Sequence, residues 1–210
     1  MDYSRLNVIP LGEALFTQRS VRRFKPDSIP LEDIRLIMEA AVRAPNGGNR
    51  QLARFLVLTD RKVIRELGTL YHEAWWAKRR QEKGWTKPED IPPDDRNYRS
   101  AMQLADEIKD VPAMVLAWSL PGAAANSVIP AVQNLMLAAR ALGIGSVPTT
   151  LHPQVMDRVH ALLGVPTDMS FHFLVPLGYP RAGAGFGGSR RLPTAETTYL
   201  DRWGAAVPWT

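Results

Sequence analysis

The 210-residue chain is 45% hydrophobic and 22% charged, a balance typical of a globular protein, and its length suits one domain with a sizeable core. It has no cysteine, which excludes disulfides, a thiol nucleophile and a thiolate metal site, and no apolar run is long enough to span a membrane. The formal net charge is +5, but acidic residues are interleaved with basic ones and no block of like charge appears, which disfavours nucleic acid as a partner.

Hydrophobic periodicity, prolines and glycines divide the chain into helices and short strands. In chain order they predict a helix over 10–18, a helix from Pro30 to Ala44, a strand over 55–58, a helix over 61–80, a helix over 98–109, a strand over 111–118, a helix from Ser127 as its cap to Gly143, a strand over 147–150, a helix from Pro153 to Gly164 and a strand over 171–175. Helices outnumber strands and the connections between them are uneven, so the prediction is an α+β fold whose sheet need not be parallel.

Two segments stand outside this pattern. Residues 81–97 combine Gly84 and three prolines with mixed charges, and we expect them to form a loop or lid inside the single domain, residues 1–210. Residues 181–210 are rich in Gly, Arg and Pro and are expected to form a C-terminal extension.

The segment Arg19-Ser20-Val21-Arg22-Arg23-Phe24 contains three arginine guanidinium groups and a serine hydroxyl. Guanidinium groups match the geometry of phosphate oxygens, and a serine hydroxyl adds a further donor. Arginines before a helix are also common as a solvated face, and that interpretation stays open for this segment taken alone.

The segment Asn46-Gly47-Gly48-Asn49, followed by Arg50 and Gln51, concentrates glycines and carboxamides. Glycine allows close approach of the backbone, and carboxamides match the donor and acceptor edges of a planar heterocycle. By itself this sequence is equally typical of a tight turn. The arginine segment and this one, separated by one amphipathic helix, together indicate a nucleotide-like cofactor, and flavin mononucleotide (FMN) is the best candidate.

Several other chemistries are excluded by their missing motifs. The chain has no phosphate-binding loop, no Gly-x-Ser-x-Gly elbow, and four histidines without metal-ligand spacing, so we expect no metal site. The stretch Gly183-Ala184-Gly185-Phe186-Gly187-Gly188 matches a dinucleotide-binding pattern, but Pro193 follows where a helix would have to begin. We expect these glycines to form a loop that brings Arg190 and Arg191 to a binding site, and a flexible surface loop is the alternative.

In their order along the chain, these motifs resemble the nitroreductase superfamily of flavin enzymes. Arg19-Ser20-Val21-Arg22-Arg23-Phe24-x-Pro26, then Ala44-Pro45-Asn46-Gly47-Gly48-Asn49-x-Gln51, carry the first part of the resemblance. Ala131-Val132-Gln133-Asn134-Leu135-Met136 resembles the family's central helix, and Leu177-Gly178-Tyr179-Pro180 with Arg190-Arg191 resembles its C-terminal part. The resemblance covers nearly the whole chain. It implies a central, mostly antiparallel sheet flanked by helices, and an intertwined homodimer with two flavin sites at the subunit interface.

The resemblance also implies which residues bind non-covalent FMN. Those expected at the phosphate and ribityl chain are Arg19, Ser20, Arg22, Arg23, Arg190 and Arg191. Those expected to face the ring or chain from the partner subunit are Asn46, Gly47, Asn49 and Gln51, with Gln133 nearby. Those expected along the isoalloxazine are Pro148, Thr149 and Thr150. Gln18, Leu52 and Ala53 depart from the family pattern, which carries Arg, Pro and Trp there in many members.

The chemistry implied is a ping-pong reaction in which NADH or NADPH gives hydride to flavin N5, and a nitroaromatic, quinone or similar small aromatic acceptor is then reduced. The flavin carries that chemistry, so no catalytic side chain is expected. Tyr71, Trp75 and Trp76 offer aromatic area that would stack on a flat substrate, and packing in the dimer interface is the alternative role.

Two rival functions remain at this point. One is a flavin enzyme of the same fold with another reaction, such as reductive dehalogenation or dehydrogenation, and the other is a basic nucleic-acid-binding module.

The first residues lack the pattern of a secretory leader, so cytoplasm is the expected location, without a membrane partner.

Overall fold

A four-stranded sheet forms the centre of the fold in residues 3–209, which are the residues that this computed structural model describes. Its strands are β1 (Ala53–Leu58), β2 (Ala113–Ser119), β3 (Gly145–Ser146) and β4 (Ser170–Gly178), in the order β1-β2-β4-β3. Every pairing is antiparallel, so the predicted α+β fold with a mostly antiparallel sheet is confirmed. Strand β2 is buried along its whole length, which explains why its sequence is apolar from Ala113 to Trp118.

Seven α-helices flank this sheet within the described residues. They are α1 (Leu11–Thr17), α2 (Leu31–Val42), α3 (Arg61–Lys83), α4 (Arg96–Glu107), α5 (Val128–Ala141), α6 (Met156–Leu163) and α7 (Thr194–Thr197). Helices α3, α4 and α6 contribute to the apolar core on one face of the sheet, and α2 and α5 contribute to the core on the other. Among residues 3–209, no helix has both the length and the apolar character needed to cross a bilayer.

The alternation of β2 side chains connects these two cores. Met114, Leu116 and Trp118 belong to the core beneath α3 and α4, whereas Val115 and Ala117 belong to the core beneath α2 and α5. Successive side chains of a strand point to opposite faces, so a strand in the middle of a sheet covered on both faces has no polar face.

Helix α3 runs three residues beyond its predicted end. It begins after Asp60, whose carboxylate accepts the N–H of Lys62 at 2.7 Å, and it ends where Gly84 adopts φ 72°. A left-handed conformation is accessible to glycine at little cost, so Gly84 stops the helix. Helix α4 begins at Arg96, two residues before its predicted start, because Asp95 accepts the N–H of Tyr98 at 3.1 Å as an N-cap.

The prediction of a short strand over 147–150 was wrong in its position. Strand β3 is Gly145–Ser146, and pairing stops before Pro148, which has no N–H to donate to a ladder. Thr149 then forms an isolated bridge with Leu174 through two backbone hydrogen bonds of 2.9 Å.

Ser127 precedes α5 as predicted, but its side chain makes no cap bond and instead accepts the N–H of Gly47 at 3.2 Å.

The connection between α3 and α4 is anchored to the core. Residues 81–83 and 96–97 are helical, so the connection itself covers 84–95, with a 3-10 turn at Pro88–Asp90. Ile91 is fully buried in it, and the guanidinium of Arg99 donates to the Ile91 carbonyl at 2.9 Å. The Asp90 carboxylate accepts the N–H of Thr86 at 2.7 Å, the N–H of Lys87 at 3.1 Å and the Thr86 hydroxyl at 3.1 Å.

Gly145 is required by the close approach of another segment to β3. A Cβ built at this position would lie 2.7 Å from Cγ1 of Val21, whose side chain is completely buried. We expect Gly145→Val to push residues 19–23 away from the sheet and to lower the melting temperature, because overpacking costs about 1–3 kcal/mol. Gly185→Val is the matched control, since nothing lies within 4 Å of its Cβ position. Equal melting temperatures in circular dichroism would contradict this packing.

Acid is expected to loosen the connection 84–95. The backbone N–H of Thr86, followed by that of Lys87 and the Thr86 hydroxyl, holds the pKa of the Asp90 carboxyl below its ordinary value. A depressed pKa stabilises the fold above the unfolded-state value of about 3.9, and the contribution is lost as pH falls through the folded value. An NMR titration should show the Thr86 and Lys87 amides shifting only below about pH 4. Those shifts should persist in Glu89→Gln and vanish in Asp90→Asn, and unchanged shifts in Asp90→Asn would refute the role of this carboxylate.

Candidate cofactor and substrate cavity

The arginine segment lies against the edge of the sheet as an extended strand-like strip. Ser20 bridges to Ser146 of β3, the Val21 N–H donates to the Ser146 carbonyl at 3.0 Å, and the Lys25 N–H donates to the Tyr179 carbonyl at 2.8 Å. Val21 and Phe24 are buried in the core, which leaves Arg19, Ser20 and Arg23 exposed and Arg22 half-buried. The segment is thus fixed to the sheet through its backbone and apolar residues, and its polar side chains lie at the surface.

A cavity of about 300 Å³ opens between α3, α4 and the loop after β3. Six predicted site residues line it: Arg22, Tyr71, Trp75, Pro148, Thr149 and Thr150. Its remaining lining is Ala74, Lys78, Arg79, Asn97, Tyr98, Ala101, Leu104, Val147 and His152. No carboxylate is among these residues, so the cavity is cationic and partly aromatic.

Arg22 and Tyr71 show how strongly this cavity is desolvated. Burial lowers the pKa of the Arg22 guanidinium, and the charge of Arg19 lowers it further, while Tyr71 acts in the opposite direction. Burial raises the pKa of the Tyr71 phenol against the opposing effects of the Thr149 side chain and the charges of Arg22 and Arg79. Tyr71 therefore stays neutral, and a bound anion would relieve the cost of burying the Arg22 charge.

One loop supplies Pro148, Thr149 and Thr150 to the cavity wall. The Thr149 N–H and hydroxyl both donate to the Leu174 carbonyl at 2.9 Å, so both donors are engaged in the sheet. Pro148 has no N–H. Thr150 is exposed, and among the described residues neither its N–H nor its hydroxyl has a hydrogen-bond partner.

Arg79 is the main cavity residue that sequence reasoning did not single out. Its side chain is almost fully buried, with the guanidinium carbon 5.4 Å from the Trp75 ring centroid and 5.1 Å from that of Tyr98. The available signal was helical spacing, because Tyr71, Trp75 and Arg79 recur every four residues and share one face of α3. His152 also lines the cavity, where it makes a 2.8 Å hydrogen bond to Oε1 of Gln81 near the end of α3.

Trp76 lies outside this cavity. Its ring packs edge-on against Trp75 with centroids 4.8 Å apart, and its Nε1 donates to His72 at 3.3 Å. Of the three aromatic residues predicted to contact substrate, Tyr71 and Trp75 line the cavity and Trp76 supports Trp75 from beside it.

The glycine and carboxamide segment lines a second, smaller cavity of about 160 Å³. Asn46 and Gln51 lie in its wall together with Ser127 of the turn before α5. Asn46 Oδ1 accepts the Gln51 N–H at 2.9 Å, and both Asn49 and Gln51 have φ of 53°. Positive φ at residues other than glycine costs free energy and is concentrated at functional sites. Gly47 and Asn49 belong to the same turn and are exposed.

The two cavities have no lining residue in common. Within one chain, the structure therefore groups Arg22 with Pro148, Thr149 and Thr150, and it groups Asn46 with Gln51, but it does not bring the two groups together. Gln133 of α5 donates to Gln18 at 3.0 Å, which places it beside the start of the arginine segment.

Arg190 and Arg191 are both exposed, and Arg191 donates to the Arg190 carbonyl at 2.9 Å. The loop before them is held on α1, because the Gly187 N–H donates to the Thr17 carbonyl at 2.9 Å. Phe186 of that loop also lies under Arg140, with 4.1 Å between the guanidinium carbon and the ring centroid. These contacts bring the glycine loop to the C-terminal end of α1, shortly before Arg19 in the chain.

Comparison with known proteins places this geometry in one family. The model of the Nitroreductase family matches residues 15–179. An NADH dehydrogenase of Thermus thermophilus is 31% identical over 90% of this chain and 94% of its own, and an iodotyrosine deiodinase of Thermotoga neapolitana is 31% identical over 78% and 84%. A crystal structure of oxidised iodotyrosine deiodinase bound to FMN and 3-iodo-L-tyrosine superposes with a TM-score of 0.71 at 25% identity, covering 93% of this chain and all of the other. The chain belongs to the nitroreductase family.

Proposed function

We propose that the protein is an FMN-dependent oxidoreductase that passes hydride equivalents from NADH or NADPH to a small electron-poor aromatic acceptor. The observation that carries the proposal is the cavity that joins a half-buried Arg22 to the Pro148–Thr150 loop without any carboxylate in its lining. A desolvated guanidinium that lacks an acidic partner is stabilised by an anionic ligand. FMN carries a phosphate and a ring that becomes anionic on reduction, so its charge complements this cavity.

When bound there, FMN would supply the redox chemistry by accepting a hydride and passing two electrons to the acceptor. Arg19 and Ser20 lie on the exposed side of the strip and would hold the phosphate, with Arg190 or Arg191 closing on it from the glycine loop. Arg22 faces the cavity, where it would stabilise negative charge on the ring. Thr150 would donate a hydrogen bond, since the donors of Thr149 are already used.

A homodimer would complete this site. Asn46, Gly47, Asn49 and Gln51 are grouped away from Arg22 in one chain, and a two-fold partner would bring them to the flavin from the other side. Unpaired apolar surface supports such an interface. Phe16 on α1 is 81% exposed, Ile129 on α5 is 52% exposed and Trp203 of the tail is 91% exposed. A two-fold partner that packed on α1 and α5 would cover such side chains.

Reductive dehalogenation of a halogenated phenol is the second candidate function. It is favoured by the likeness to the deiodinase of Thermotoga neapolitana, which is as close in identity as the NADH dehydrogenase. Both candidates use the same cofactor and the same cavity, and they differ in the acceptor.

Anaerobic reduction of the purified, FMN-loaded protein tests the proposed function. NADH or NADPH should bleach the flavin absorbance, and addition of one equivalent of a nitroaromatic or quinone should restore it. Restoration by an iodinated phenol, and not by the nitroaromatic or quinone, would favour dehalogenation. A protein that binds no FMN would refute both.

Arg19→Ala is expected to weaken FMN binding about tenfold or more, because a charge-assisted hydrogen bond to phosphate is lost. Arg190→Ala should have a similar effect if the glycine loop closes on the same phosphate. Fluorescence titration of the apoprotein with FMN measures both. The control is Arg65→Ala, an exposed arginine of α3. Wild-type affinity in both Arg19→Ala and Arg190→Ala would show that the phosphate lies elsewhere.

Mixing two inactive variants tests the shared site. Arg22→Ala and Asn46→Ala each damage one half of every site in their own homodimers. After unfolding and refolding together, half of the dimers are mixed, and each mixed dimer has one intact site of two, so flavin retention should recover to about one quarter of the wild-type value. No recovery, with dimers confirmed by light scattering, would place both halves of a site in the same chain.

A further inference from the structure

We infer that Arg79 forms a carboxylate-binding subsite at the α3–α4 end of the cavity, so that the acceptor is an aromatic acid. The inference rests on the proposed function, because it names the class of acceptor that this cavity takes. It is carried by the burial, the unmet hydrogen bonding and the surroundings of one side chain.

Arg79 is a buried cation with one donor that the described residues leave unsatisfied. Its side chain is 10% exposed, and its Nε has no hydrogen-bond partner within the described residues. An arginine carries five N–H donors, and leaving them unpaired in a buried position costs free energy. The guanidinium carbon lies 5.4 Å from the Trp75 ring centroid and 5.1 Å from that of Tyr98, and these cation–π contacts hold it in place.

Positive charge exceeds negative charge around Arg79. Arg22 and Lys78 line the same cavity, and no acidic residue does. Glu82 is the carboxylate beside Arg79, with 3.2 Å between Arg79 Nη2 and Glu82 Oε2, but Lys78 Nζ also lies 3.9 Å from Glu82 Oε1. The Glu82 side chain is 44% exposed and outside the cavity lining, so solvent screens its charge. A net positive charge therefore remains inside the cavity.

The shape of the cavity indicates which anion would bind. Tyr71, Trp75 and Tyr98 provide ring surfaces suited to a flat molecule, and the planar fork of Arg79 matches a carboxylate with two parallel hydrogen bonds. The other source of an anion would be a phosphate of the nicotinamide donor. The rings of Trp75 and Tyr98 beside Arg79 suit an aromatic acid better than a sugar phosphate.

Calorimetric titration of the oxidised, FMN-loaded protein with 4-nitrobenzoate and 4-nitrobenzamide tests this subsite without turnover. The wild type should prefer the acid. Arg79→Gln should weaken 4-nitrobenzoate binding about tenfold or more and leave 4-nitrobenzamide unchanged, because the charged hydrogen bonds go only to the acid. Arg79→Lys keeps the charge and should lose less of the affinity for 4-nitrobenzoate. The control is Arg80→Gln, which removes the same charge from the neighbouring exposed position.

Three outcomes would overturn the inference. The first is an equal loss for the acid and the amide in Arg79→Gln, with a wild-type melting temperature. The second is an equal loss in Arg80→Gln, which would indicate only long-range charge. The third is a weaker NADPH affinity in Arg79→Gln with unchanged 4-nitrobenzoate binding, which would assign Arg79 to the donor. A wild-type protein that bound 4-nitrobenzoate through Arg79 but no FMN would refute the proposed function and retain the subsite.

Discussion

The attachment of Val21 to β3 is the contact on which the site depends. Its N–H donates to the Ser146 carbonyl, its side chain is buried, and Gly145 leaves the space that it occupies. Because alternate side chains of an extended segment point in opposite directions, burying Val21 turns its neighbours outward. Arg22 then lies in the cavity wall and Ser20 at the surface, where Arg19 is also exposed. Without this attachment the same arginines would be a solvated loop.

Burial is what makes these arginines suited to binding anions. A cation at the surface is screened by water and needs no partner, whereas Arg22 is half-buried and Arg79 almost fully buried in a cavity without a carboxylate in its lining. Such a cavity favours anions at both ends, which suits a flavin ring near the Pro148–Thr150 loop and an acidic acceptor near α4. The aromatic residues between them provide the apolar surface that a flat ligand covers.

Much of the fold could be predicted from local patterns. Helices α2 and α5 and the central strand β2 have strong apolar periodicity or continuous apolar runs, and they appear close to their predicted bounds. The errors concern features set by tertiary contacts. Two-residue strand β3 exists only because β4 lies beside it, and the Ser127 hydroxyl bonds to Gly47, a residue 80 positions away in the chain. No local pattern contains that information.

The motifs of the site could be predicted from the sequence, but their arrangement in space could not. The order of Arg19, Asn46 and Arg190 along the chain resembles the family, but order does not say which groups meet within one subunit. The structure separates Asn46 from Arg22, and this separation is what makes a dimer necessary for the proposed site. Arg79 was missed because Lys78-Arg79-Arg80 reads as a basic helix end. Only the packing of Trp75 and Tyr98 shows that the middle residue is buried.

Sedimentation of the apoprotein with FMN or with riboflavin, followed at the flavin absorbance, tests the central claim most directly. Riboflavin has the same ring as FMN and lacks the phosphate, so it reports what the arginine strip contributes. The account predicts one FMN per chain sedimenting at the mass of a dimer, with riboflavin held far more weakly. Equal retention of the two flavins, or flavin that sediments apart from the protein, would contradict it.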